Sequence, residues 1–180
     1  GRDIADKPAE ELTSHPGLGF DRYSFDLTEE EHRTYYLGYS NSVVWPLFHG
    51  RADLLSLRSE DLEGYRRVNK RIAHFVAGLV SRDDLIWVQD YHLLPLAREL
   101  RALGITNRIG FFLHIPFPNL SDIMALPNSD EFTGWLAQYD LLGLQAQRDV
   151  ARLMEAFRSR EDAEVEEEGV KRRSSEIKVV

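Results

Sequence analysis

Three polar residues stand where apolar runs stop. Asp90 follows "LIWVQ", His114 closes "RIGFFL" and Gln145 ends "DLLGL". A carboxylate can accept two hydroxyl hydrogen bonds and fix the approach of a hydroxyl nucleophile, which is a proximity effect. A histidine can hydrogen-bond a hydroxyl whichever ring nitrogen carries the proton. If the three runs are parallel strands of one sheet, right-handed crossovers bring their carboxyl ends to one edge, where ligands of open α/β sheets collect. A second cluster, Tyr35, Tyr36 and the run Ser40-Asn41-Ser42-Val43-Val44-Trp45-Pro46, supplies aromatic rings with polar handles, which suit sugar or phosphate recognition.

Each residue also has a structural reading. Asp90 fits the cap of the following helix, and taken alone cap and ligand contact stand level. A lone histidine after an apolar run is better read as a satisfied core histidine, and His92, in a first helical turn, as a supporting residue. Trp87 and Trp135 sit among apolar neighbours and read as core. On a straight α-helix Tyr36 and Trp45 lie about half a turn out of phase, so a shared ligand requires the helix to bend or end between them. Pro46 is the available breaker.

The elements that must position these groups follow from pattern. Residues 1–19, with Pro8, Pro16, Gly17 and Gly19, read as loop. "FDRYSFDL" is a short strand. Thr28 and Glu31 have capping-box spacing at the start of a helix, and a second helix over about 60–80 shows a 3.6-residue apolar period. From Leu85 onward apolar strands alternate with amphipathic helices, the first of these helices closed by Gly104. That alternation indicates a parallel sheet with helices on both faces. The charged tail "REDAEVEEEGVKRRSSEIKVV" reads as a solvated hairpin or loop over 159–175, with a further strand beginning at 176–180.

The chain has 180 residues, 43% hydrophobic and 29% charged, which suits one domain. With no cysteine there is no disulfide framework or thiolate site, and a reducing, cytoplasmic setting is expected. A net charge of -8 argues against general nucleic-acid affinity while leaving room for a small anionic ligand. No apolar run approaches the roughly 18 residues that suggest a membrane span. The Walker and GxGxxG nucleotide fingerprints, an HExxH or clustered histidine pair with metal spacing, and a GxSxG hydrolase elbow are all missing.

The blocks "TYYLGYSNSVVWPLFHG", "GYRRVNKRIA", "IWVQDYHLLPLARELR", "NRIGFFLHIPFP", "ALPN" and "YDLLGLQ" occur in the order seen in trehalose-6-phosphate synthases, and the resemblance covers roughly 20–158. It implies the N-terminal, Rossmann-like half of a two-domain GT-B glycosyltransferase that moves glucose from UDP-glucose, or another nucleotide-glucose, to glucose 6-phosphate. Retention at the anomeric carbon, no metal and no other cofactor are implied as well. By motif, Tyr36 and Trp45 would contact the acceptor phosphate, Asp90 the acceptor hydroxyls, and His114 the transferred glucose. Asp90 and His114 would be the catalytic pair. The chain opens at "GRD", which resembles the sequence after the family's first strand and glycine-rich loop. The expectation is therefore a single incomplete acceptor-side domain, inactive alone, with weak phosphate affinity and unpaired apolar edges that favour a homo-oligomer. A glucosylglycerol-phosphate synthase or a non-catalytic sugar-phosphate-binding paralogue are the alternatives.

Overall fold

The computed structural model describes residues 5–17, 19–166, 169–172 and 175–180. The parts of the expected loops that fall on 1–4, 18, 167–168 and 173–174 lie outside the described residues. A two-stranded antiparallel ribbon comes first, β1 (Thr13–Pro16) against β2 (Asp21–Ser24). The expected loop over 1–19 thus contains a strand, and Gly19 at φ 92° reverses the chain where a side chain would be strained.

Thr28 and Glu31 form the capping box their spacing predicts. The Glu31 N–H donates to the Thr28 hydroxyl (3.2 Å) and the Thr28 N–H to the Glu31 carboxylate (3.1 Å). From this cap α1 (Glu29–Glu31) runs without a break into a wide helix, His32–Val44, and then into α2 (Trp45–Phe48). In the wide stretch N–H groups reach back five residues instead of four, as Trp45 N–H does to the Ser40 carbonyl. Pro46 does not end the helix. It occupies the first turn of α2, where a missing N–H donor costs least.

The long helix α3 (Ser59–Leu79) packs closely on the wide helix. Glycines make the approach possible: a Cβ on Gly64 would lie 2.1 Å from the Thr34 hydroxyl, and one on Gly38 would lie 2.5 Å from the Asp61 carboxyl carbon.

The apolar runs then form β3 (Ile86–Gln89), α4 (Leu96–Ala102), β4 (Ile109–Phe112), α5 (Leu120–Met124), α6 (Ser129–Leu136), β5 (Leu141–Gly143) and α7 (Gln147–Arg158). Gly104, at φ 81°, follows α4 as expected of a helix-closing glycine. Strands β3, β4 and β5 are parallel neighbours, with Val88 opposite Phe111 and Phe111 opposite Leu142. Burial alternates along β3, where Ile86 and Val88 are buried and Trp87 is 49% exposed, whereas β4 is buried continuously from Ile109 to Phe111 and β5 at Leu142 and Gly143. Trp87 is therefore not a core residue. The pleat turns it to the opposite face from Ile86 and Val88, where its indole lies on Gly110 and where, among the described residues, the sheet is open. Trp135, by contrast, is fully buried.

The charged tail takes the hairpin alternative rather than the loop, and the strand expected at its end forms as well. β6 (Ala163–Val165) pairs antiparallel with β7 (Gly169–Arg172), and β7 with β8 (Ser175–Val179), which lies parallel to β5. The switch from acidic to basic sequence places Lys171 opposite both Glu164 and Glu176. Opposite charges facing across strands are worth roughly 0.2–1 kcal/mol per pair, enough to bias register. Beneath them Val170 and Ile177 are fully buried.

Two glycines of α3 should respond oppositely to alanine. Gly64→Ala forces a methyl into Thr34 and should destabilise the fold by about 1–3 kcal/mol despite alanine's helix preference. Gly78 has nothing within 4 Å of an added Cβ, so Gly78→Ala should stabilise by several tenths to about 1 kcal/mol. Urea unfolding of the two variants beside the parent chain checks both signs.

Candidate functional site

The ladder of β3 and β4 extends one bond beyond the strands, from the Asp90 N–H to the Phe112 carbonyl (2.9 Å). There the chain turns sharply. Asp90 has φ 69° and ψ 166°, and among the described residues it is the one non-glycine with positive φ. That region is almost exclusive to glycine, and an L-residue there costs about 1–3 kcal/mol. The Asp90 side chain is held from both sides: its Oδ1 accepts from the Tyr91 N–H (3.0 Å) and from the His114 N–H (3.4 Å). One oxygen thus caps the turn Tyr91–Leu93 and ties it to the end of β4. Among the described residues no hydrogen bond reaches Oδ2, which remains an acceptor for a ligand hydroxyl.

His114 is exposed rather than buried, which removes the core-histidine reading. Its Nε2 lies 2.5 Å from the Gln89 Oε1, and its ring lies 4.9 Å from that of Phe112. Gln89 was not visible as a site residue from its type. Its signal is position, the last residue of β3 on the outward face of the pleat.

The turn after Asp90 also meets the wide helix. The His92 ring stacks on Tyr36 (5.5 Å, 9°) and packs against Tyr91 (4.0 Å), while Tyr36 stacks on His32 (5.3 Å). The Tyr91 hydroxyl donates to the Asn41 Oδ1 at 3.0 Å. Burial, the Asp90 carboxylate and Tyr36 push the Tyr91 phenol up to about 12, so it stays a donor at neutral pH. Burial lowers the His92 imidazole below its usual range against the opposing pull of Asp90, and its buried Nε2 has no hydrogen-bond partner among the described residues.

Trp45 stands nine residues after Tyr36. At about 4.4 residues per turn, the consequence of bonds that span five residues, this separation makes close to two full turns. Exposure recurs at a similar interval of four to five residues: Arg33, Leu37 and Trp45 are exposed and Tyr36, Asn41 and Ser42 half-buried, with buried residues between these groups. Tyr36 and Trp45 therefore share a face because the helix widens, not because it bends or ends. Trp45 is 40% exposed and stacked on His49 at 4.1 Å. Direct contacts join Tyr36, Asp90 and His114 through the 91–92 turn, whereas Trp45 joins them by helical phase alone. Gln145 is exposed after β5, with no hydrogen bond to Asp90 or His114 among the described residues. Among these residues no group of three His, Cys, Asp or Glu is placed to hold a metal ion, and no helix is long and apolar enough to cross a membrane.

A parallel sheet whose strand ends carry a carboxylate and a histidine beside an aromatic helix defines a Rossmann-like α/β domain of the kind found in GT-B glycosyltransferases. The chain belongs to glycosyltransferase family 20, whose model matches residues 3–180. Over 133 residues it is 47% identical to the trehalose-6-phosphate synthase of Enterobacter sp. (strain 638), a match covering 74% of this chain and 28% of that protein. Its fold superposes on the alpha,alpha-trehalose-phosphate synthase (UDP-forming) of Burkholderia vietnamiensis with a TM-score of 0.94 at 35% identity, covering 98% of this chain and 38% of that one. The Burkholderia xenovorans enzyme in complex with glucose-6-phosphate matches with a TM-score of 0.92 at 34% identity, covering 99% of this chain and 40% of the other. The chain thus spans less than a third of that curated relative's length.

Two predictions follow from the geometry. Asp90→Gly and Asp90→Ala both remove the carboxylate, but only glycine relieves the backbone. The glycine variant should be the more stable of the two by about 1–3 kcal/mol in chemical unfolding. For His92 the folded-state pKa is depressed, so the unfolded chain takes up the proton first as pH falls. Stability is lost as pH drops through the ordinary histidine value of about 6.5 toward the lower folded value. His92→Phe should flatten that part of the profile, measured as unfolding midpoints from about pH 7.5 down to about pH 5.5.

Proposed function

We propose that this chain forms the acceptor side of an alpha,alpha-trehalose-phosphate synthase, which transfers glucose from UDP-glucose to glucose 6-phosphate with retention and without a metal. The observation that carries the reading is Asp90, a half-buried carboxylate kept in a costly backbone conformation, with one oxygen spent on the fold and the other without a hydrogen bond among the described residues. Strain of this kind persists where surrounding structure over-determines it, and functional sites are where it clusters. Family membership and the likeness to an enzyme solved with glucose-6-phosphate support the same assignment.

In this reading Asp90 Oδ2 accepts acceptor hydroxyl protons and orients the sugar, and Tyr36 and Trp45 donate toward its phosphate. His114, held by Gln89, hydrogen-bonds the transferred glucose. The acceptor's anomeric oxygen attacks donor C1 on the face from which UDP departs. The C1–O bond to UDP breaks as the new glycosidic bond forms, and the acceptor proton passes to the leaving phosphate oxygen. Asp90 is then an orienting group rather than a nucleophile, its contribution being proximity. A cytoplasmic setting, self-association and weak phosphate affinity of this chain by itself belong to the same reading.

A two-dimensional NMR titration with glucose 6-phosphate tests it, read at the indole N–H of Trp45. Selective movement of Trp45, abolished by Asp90→Ala, is the expected result. A dispersed spectrum that stays silent would overturn the acceptor assignment, and a stronger response to glycerol 3-phosphate would move it to a glucosylglycerol-phosphate synthase.

A further inference from the structure

Asn41 stands five residues after Tyr36 and four before Trp45, one turn of the wide helix from each. On an α-helix it would lie about 140° round from Tyr36. In the wide helix the three side chains instead form one stripe.

The orientation of the Asn41 amide is fixed by its neighbour. The Tyr91 hydroxyl donates to Oδ1 at 3.0 Å, and this places the amide oxygen toward the 91–92 turn. The Nδ2 group, with two N–H donors, is directed the other way, and among the described residues it makes no hydrogen bond. The stripe is therefore a row of neutral donors: a phenol, an amide and an indole. Asp90, with an oxygen left over, is an acceptor only. A sugar phosphate has the matching polarity, hydroxyl donors on its ring and acceptor-only oxygens on its phosphate.

We propose that Asn41 is a further ligand-binding residue, its amide donating to a phosphate oxygen of the acceptor between Tyr36 and Trp45. The assignment rests on the acceptor reading given above. It gives Asn41 two tasks, aligning the helix with the Asp90 turn through its oxygen and gripping the anion through its nitrogen.

The test follows the side-chain NH2 signals of Asn41, assigned by substitution, beside the Trp45 indole during titration with glucose 6-phosphate. Both should move along one saturation curve. Asn41→Asp keeps an oxygen for Tyr91 but sets a carboxylate against the phosphate, and should weaken affinity about tenfold or more with the spectrum still dispersed. A merely structural Asn41 would tolerate that isosteric change. If Trp45 moves while the Asn41 amide does not, or if Asn41→Asp binds like the parent chain, the assignment is overturned and the acceptor reading stands. If both groups are silent, the acceptor reading falls and this inference with it. Should Asn41→Asp fail to fold, the amide signals of the parent chain decide the matter.

Discussion

The hydroxyl of Tyr65 is the contact on which the site depends. Fully buried in α3, it donates to the Tyr91 carbonyl at 2.6 Å and accepts from the Leu94 N–H at 3.3 Å. One turn further along α3, the Asn69 amide donates to the His92 carbonyl at 3.1 Å. These bonds satisfy the backbone of the turn that leaves Asp90, and an unsatisfied buried group there would cost about 1–3 kcal/mol. The Tyr65 ring packs between Tyr39, Tyr35 and Trp135, with centroids 4.8, 5.7 and 5.8 Å away, so the hydroxyl has little freedom to leave. A rigid α3 thus sets the turn, and the turn keeps Asp90 in a conformation it would not choose.

The same arrangement shows which parts of the structure were legible in the sequence. The parallel order of β3, β4 and β5, the cap at Thr28 and the closing Gly104 each depend on local chemistry and short periods, and they could be read directly. So could the placement of Asp90 and His114 at one sheet edge, which follows from topology. The cap role of Asp90 could not be separated from its alternative, because only coordinates show one carboxylate oxygen accepting from both the Tyr91 and His114 N–H groups. Trp87 was misread because an apolar run does not reveal which face of a pleat is covered. For tail residues 163–172 hairpin and loop stayed open, because the facing of Glu164 and Lys171 that favours the hairpin exists only once the strands are paired.

The wide helix escaped for a deeper reason. A 3.6-residue template finds no coherent face in the stretch from His32 to Val44, because the burial there repeats every four to five residues. Seen with that template Asn41 is a polar residue with no partners on its side of the rod. With the wider period it falls between the two aromatic residues singled out by chemistry.

That period also makes residue count, more than residue identity, the guarded property of this segment. Nine residues fill about two turns of the wide helix, whereas about seven fill two turns of an α-helix. Losing one residue between Tyr36 and Trp45 would leave the rings out of phase in either geometry. Losing two would let an ordinary α-helix present both on the same side. Length variation in this part of related chains should therefore be tolerated in pairs, while many single side-chain exchanges on the outer surface leave the spacing intact.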